Sequence, residues 1–281
     1  MKRIIGVHGV GRQFAGENTL CSEWLPALKD GLARANRRLA SDEDFVCAYY
    51  GNLFRPGGKA APFDPPFEAS DVADDWEREL LELWWREAAN VDPAVLGPDA
   101  RTKLSTPSIV QRALNALSGS RFFAGIAERG LIFDLKQVRR YLREPDIRRE
   151  ARESIERAIG PDTTVMIAHS LGSVVAYEAL CAHPEWPVRT FVTIGSPLGI
   201  SNLIFDLLEP APEAGVGAWP GAISQWVNIA DKGDVVALVK QLSTRFSPRV
   251  IDHLVDNGAK AHDATRYLTS QELGYAVAAG I

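Results

Sequence analysis

The sequence predicts an α/β protein: a mostly parallel central sheet flanked by helices, with a helical insertion set into it. Three observations carry this expectation. Short apolar, β-branched runs alternate with helix-period segments, and glycine or proline marks most of the changes between them. One long stretch in the first half has helical patterning and no convincing buried strand. Parallel strands need crossover connections, so alternation of this kind implies a sheet covered on both faces.

Taken in order, Ile4 to Val7 reads as a buried strand that Gly9-Val10-Gly11 breaks. An amphipathic helix then runs from about Thr19 to Leu39, with Leu20, Trp24, Leu28 and Leu32 at helical spacing. Phe45 to Tyr50 reads as a second strand, followed by Gly51 and a loop rich in proline and glycine from Pro56 to Pro66. Helical patterns follow: Trp76, Leu80, Leu83 and Trp84 on one face, then Ile109 to Leu117, then Leu131 to Leu142. Pro145 and Asp146 open a charged helix, Ile147 to Ile159, that Gly160-Pro161 ends. Four more strands are expected at Thr163 to Ala168, Val188 to Ile194, Ile223 to Ile229 and Val250 to Val255, before a closing helix from Asp263 to about Ala279. Residues 1–281 are therefore expected to form a single domain, with residues 56–143 as a helical insertion or cap within it.

Composition excludes several classes of function. A chain of 281 residues, 46% of them hydrophobic, can bury a large core, which argues against disorder. The net charge of -5 is modest and no basic block supplies a footprint for nucleic acid. No apolar run is long enough to span a bilayer, and Met1 to His8 enters an apolar strand without the features of a signal peptide. Cys21, Cys47 and Cys181 are odd in number and widely spaced, which suits reduced thiols. A cytoplasmic location is the resulting expectation.

The chemistry gathers around Ser170. Thr164 to Ala176 runs from a strand through His169-Ser170 into a helix, the setting of a nucleophile elbow. Ala168 and Gly172 are small where the turn packs strand end against helix start. Ser170 is placed at a helix N-terminus, where free N–H groups and the dipole favour negative charge. The Leu171 N–H then serves as one oxyanion donor, and the Val10 N–H, from the loop after the first strand, as the second.

The paired motifs Val7-His8-Gly9-Val10-Gly11 and Ala168-His169-Ser170-Leu171-Gly172 resemble those of lipase-like serine hydrolases of the α/β-hydrolase superfamily. The resemblance extends to Gly195-Ser196-Pro197-Leu198-Gly199 and to Trp226-Val227-Asn228-Ile229-Ala230 with its acidic loop; it covers the two ends of the chain well and the middle poorly. Alanine stands where the commonest elbow has its first glycine, as in small lipases with an Ala-x-Ser-x-Gly elbow. The resemblance implies an α/β-hydrolase fold and a triad in the order serine, acid, histidine. Asp231 and Asp234 both follow the strand ending at Ala230, and the family spacing, with two apolar residues after the acid, favours Asp234 over Asp231. For the base it favours His262, in the loop before the last helix, over His253 inside a strand-like run.

That resemblance implies acyl transfer on a carboxylic ester, lipid esters included, with no metal or organic cofactor. Hydrolysis of a peptide or amide by the same triad is a second reading, and a binding protein that keeps the fold without the activity is a third. Other residues are read as structural. His169 points away on the sharp turn, His8 shapes the loop, and His183 sits at a helix end. Ser196 precedes Pro197, which lacks an N–H for an oxyanion, and so lines the site rather than forming an elbow. The glycines at 6, 9 and 11 lack dinucleotide spacing. Trp76, Trp84 and Trp85 are expected in the cap core, and Phe122-Phe123 beside Arg121 is expected to pack within the molecule, with contact to an acyl chain or a membrane surface as the alternative. Oligomeric state is left open.

Overall fold

The computed structural model describes residues 3–55, 67–100, 108–120 and 128–281. The proline- and glycine-rich loop, Phe122-Phe123 and Arg121 lie outside the described residues.

Six strands form one sheet: β1 (Ile4–Val7), β2 (Phe45–Ala48), β3 (Val165–His169), β4 (Thr190–Ile194), β5 (Gln225–Asp231) and β6 (Ile251–Val255). Their order is β2-β1-β3-β4-β5-β6, and every pairing is parallel. The reason lies in the side chains. Strands covered on both faces are buried rather than alternating inside and outside, and β1, β3 and β4 are buried almost throughout. Successive residues feed two different cores. Ile5, Val7, Met166, Ala168, Phe191 and Trp226 face one, while Ile4, Val165, Ile167, Val192, Ile194, Val227 and Ile229 face the other.

Eight α-helices are described, and they cover both faces. α1 (Glu17–Arg34), α7 (Ala264–Leu268) and α8 (Gln271–Ala278) cover the second face. On the first lie α5 (Pro145–Ala158) and α6 (Leu171–Ala182), with α2 (Asp75–Val91), α3 (Ile109–Ser118) and α4 (Glu128–Arg143) stacked beyond them. The last three occupy the stretch expected as the insertion. Their buried residues, including Trp76, Trp84, Trp85, Leu114 and Leu135, are continuous with the core under α6. None of the described helices is long and apolar enough to cross a membrane.

α1, β2 and the closing helix end elsewhere than the pattern implies, each for a local reason. α1 stops at Arg34 rather than continuing to Leu39, because Asn36 turns left-handed at φ 56° and Arg37 N–H bonds back to the Leu32 carbonyl at 2.8 Å, the closing bond of a Schellman motif. β2 stops at Ala48, since the Tyr50 N–H turns toward the His8 ring instead of the ladder. The closing helix is two, not one: the Ser270 hydroxyl accepts from Leu273 N–H at 3.2 Å and starts α8 afresh.

Strand order reverses between β1 and β3, which places a crevice at their carboxyl ends. Ligands of open α/β sheets bind at such a point. His8 and Ser170 are the residues that follow these two strands or close them.

Candidate active site

The elbow is built from backbone first. Ser170, between β3 and α6, adopts φ 53° and ψ −131°, a conformation that costs a non-glycine residue of order 1–3 kcal/mol and persists only where its surroundings impose it. Those surroundings are tight. A Cβ on Gly172 would lie 2.2 Å from the His8 carbonyl oxygen and 2.6 Å from that of Val7, and a Cβ on Gly9 would lie 2.6 Å from Ser170 Cβ. Glycine is therefore required where α6 begins against the end of β1. The Ser173 hydroxyl donates to the Ser170 carbonyl at 2.6 Å and pairs with the Ser196 hydroxyl at 2.7 Å, tying the first turn of α6 to the loop after β4. Ser196 thus sits buried behind the elbow.

Ser170, His262 and Asp234 come together in a line. Ser170 Oγ is 3.0 Å from His262 Nε2, and His262 Nδ1 is 2.8 Å from Asp234 Oδ2. Asp234 is fully buried, and its carboxylate is heavily supported. Tyr267 donates to Oδ2 at 2.7 Å; the Val236 and Ala237 N–H groups donate to Oδ1 at 2.9 and 3.3 Å. Burial alone would raise its pKa, but the facing imidazole, its hydrogen bond, that of Tyr267 and the charge of Lys240 outweigh it and bring the carboxyl down to about 2. Asp231 is spent otherwise. Its oxygens accept from the Gly233 N–H at 2.7 Å and from the Asn257 N–H, so it shapes the loop and joins the ends of β5 and β6. His253 lies within β6, whose side chains are half-buried or exposed.

The loop after β1 is fixed by two residues. His8 Nδ1 donates to the Gly9 carbonyl at 2.7 Å, while Nε2 accepts from the Tyr50 N–H at 3.2 Å. Tyr50 also donates its hydroxyl to the His8 carbonyl at 2.6 Å and stacks on the ring at 4.2 Å. Both ring nitrogens are used, so the tautomer is defined, and burial holds the His8 pKa down to about 4. Among the described residues, neither the Val10 nor the Leu171 N–H donates a hydrogen bond.

His169 is turned away from Ser170 Oγ and bonds through Nε2 to the His262 carbonyl at 2.9 Å, its ring 4.6 Å from that of His262. Burial, with His262 beside it, lowers its pKa to about 3. Sequence reading missed Tyr267, Tyr50 and Ser173, which support the acid, the loop and the elbow. No motif marks them; a tyrosine five positions past a histidine acquires meaning only once α7 is folded against β5.

Comparison of the chain with protein-family models, with curated proteins and with solved structures finds no match in any of the three.

Proposed function

We propose that this chain is a serine hydrolase of the α/β-hydrolase type, cleaving carboxylic esters through an acyl-enzyme on Ser170. The observation that carries the reading is the unbroken line from Ser170 Oγ through His262 to the buried Asp234. A serine hydroxyl at its ordinary pKa is a weak nucleophile, and this line supplies the base and the group that orients it. His262 Nε2 takes the hydroxyl proton as Oγ attacks the ester carbonyl. Asp234 holds Nδ1–H and stabilises the imidazolium. The tetrahedral oxyanion is received by the Leu171 and Val10 N–H groups at the start of α6 and in the loop after β1. His262 then returns the proton to the leaving alcohol. Water, deprotonated by the same imidazole, releases the acid and restores Ser170.

Order along the chain supports the family assignment, since serine precedes acid and acid precedes histidine. A fluorophosphonate probe should label the native protein and fail to label Ser170→Ala. Equal labelling of both proteins would overturn the assignment. A panel of nitrophenyl esters beside peptide substrates should show turnover of the esters and none of the peptides.

A further inference from the structure

The insertion brings to this site a carboxyl group that the proposed reaction leaves unused. Asp134 lies on α4, three residues before Gln137, so that the two share one face of the helix. Its Oδ1 stands 3.6 Å from where a Cβ on Gly11 would be, against the loop that carries the Val10 N–H. Gln137, buried, bridges the two: its Nε2 donates to Asp134 Oδ1 at 3.3 Å, and its Oε1 accepts the Gly11 N–H at 3.4 Å. A carboxyl and a carboxamide are thus laid side by side on the loop after β1.

Asp134 has little else. The Gln137 amide is its hydrogen-bond donor among the described residues, and the imidazole of His262 is the charge that acts on it. Three cations of its own helix are engaged elsewhere: Lys136 with Glu77, Arg139 with Asp74 and Arg140 with Glu144. Arg12, on the facing loop, pairs with Glu23. Burial pushes the carboxyl up to about 7 against the pull of His262. Asp134 is half-buried, and the acceptor positions that Gln137 leaves can take a hydrogen-bond donor arriving with a ligand, which replaces the water the ligand displaces. An apolar chain placed there would leave them unmet, and an anion would be repelled.

We propose, on the hydrolase reading of Ser170, that Asp134, held in place by Gln137, is a specificity determinant that accepts a hydrogen bond from a hydroxyl or ammonium group on the ester substrate. The substrate class narrows from plain fatty esters to esters bearing such a donor within reach of the scissile carbonyl. Donor-bearing esters rank first, plain esters second and carboxylate-bearing esters last.

The test compares 4-nitrophenyl esters of hexanoic, 6-hydroxyhexanoic, 6-aminohexanoic and adipic acids, with a three-carbon set for shorter reach, on the native protein, Asp134→Asn and Asp134→Leu. In the native protein the donor-bearing esters should exceed their plain counterparts in kcat/KM by about tenfold or more, chiefly through KM. Asp134→Leu should remove the preference for both donors. Asp134→Asn, whose amide oxygen still accepts, should remove the preference for ammonium and keep part of that for hydroxyl. The ratio of the two donors in the native protein separates the two sources of the donor. A ratio of donor-bearing to plain ester that stays the same in both variants would overturn the proposal, as would an equal loss on every ester, which is what mere support of the loop would give. Calorimetry on Ser170→Ala with methyl 6-aminohexanoate, methyl 6-hydroxyhexanoate and methyl hexanoate repeats the comparison without catalysis. Absence of fluorophosphonate labelling in the native protein counts against the hydrolase reading alone. Loss of the preference for the ammonium ester in calorimetry on going to Ser170→Ala/Asp134→Asn supports the Asp134 assignment independently.

Discussion

Asp231 and Asp234 stand at the end of one strand, and their neighbours give them different tasks. Asp234 faces an imidazole, and Asp231 faces backbone amides. Under the proposed mechanism Asp234→Asn leaves the fold in place but presents the wrong partner to His262 Nδ1, and kcat should fall by on the order of 10⁴, as for loss of the acid in other triads. Asp231→Asn should change kcat less than tenfold and instead lower the melting temperature, since the loop amides of Gly233 and Asn257 lose a charged acceptor. Steady-state kinetics beside thermal melts of the two variants check both outcomes, and a reversal of the two effects would exchange their roles. Acid sensitivity also belongs to this scale. His8 and His169 are held neutral when folded down to about pH 4 and about pH 3, whereas an unfolded imidazole takes its proton near 6.5. Between those values the unfolded chain binds more protons, so stability falls on acidification from about pH 6.5, by up to about 1.4 kcal/mol per pH unit for each such histidine. Asp234, depressed to about 2, extends the same trend: its stabilising contribution is present above the ordinary value of 3.8 and is lost as pH falls toward 2. Urea unfolding at pH 7, 6 and 5 should give a declining free energy, and His169→Gln should flatten the slope by about one proton.

At the scale of elements, α2, α3 and α4 are joined to the core through charge as well as apolar contact. Glu178 on α6 is fully buried and accepts from Tyr141 Oη of α4 at 2.5 Å, from Arg148 Nε of α5 at 2.9 Å and from the Glu209 N–H at 3.1 Å. Removing one member leaves the others desolvated and unpaired, so Glu178→Gln should cost about 3 kcal/mol in chemical denaturation. Replacing the group together, as Glu178→Met/Arg148→Met/Tyr141→Phe, should recover most of that loss, because apolar packing avoids the desolvation penalty. A triple variant less stable than the single one would show that the network contributes more than it costs to bury. Elements were also where sequence patterning was most legible. β-branched runs such as Thr190–Ile194 announce themselves by composition, and β1 begins and ends where the apolar run does. What patterning missed was local hydrogen bonding at element ends. The left-handed turn at Asn36 and the Ser270 cap lie in stretches that could equally continue a helix, and Tyr50 leaves β2 only because His8 offers it an acceptor across the sheet end.

At the scale of the whole molecule, the site joins distant parts of one chain. Ser170 and His262 are separated by 92 residues, and the loop after β1 comes from the far end of the sequence. Strand order accounts for that meeting, because the reversal between β1 and β3 leaves a crevice only where those two strands end. The motifs around Ser170 and His8 were legible as short stretches. Asp134 and Gln137 were not, since an acid three residues before a glutamine on an amphipathic helix has no signature until α4 is laid over Gly11. Whether α2, α3 and α4 move as a lid or belong to the core follows from their packing. The Trp76 indole N–H bonds to the Leu203 carbonyl at 3.0 Å, Tyr141 reaches Glu178, and the apolar residues of α2, α3 and α4 are continuous with those of α6 and β4. Opening these helices as a unit would expose that shared apolar surface together with the Glu178 network. Cooperative units are set by such contacts, so α2 and α4 should unfold with the sheet rather than ahead of it. Native-state hydrogen exchange should therefore give peptides from Glu77 to Ala88 and from Leu131 to Leu142 the same opening free energy as those from Val174 to Leu180, within about 1 kcal/mol. A separate, lower-energy opening of α2 and α4 would instead make them a lid, and access to Ser170 would then depend on their displacement.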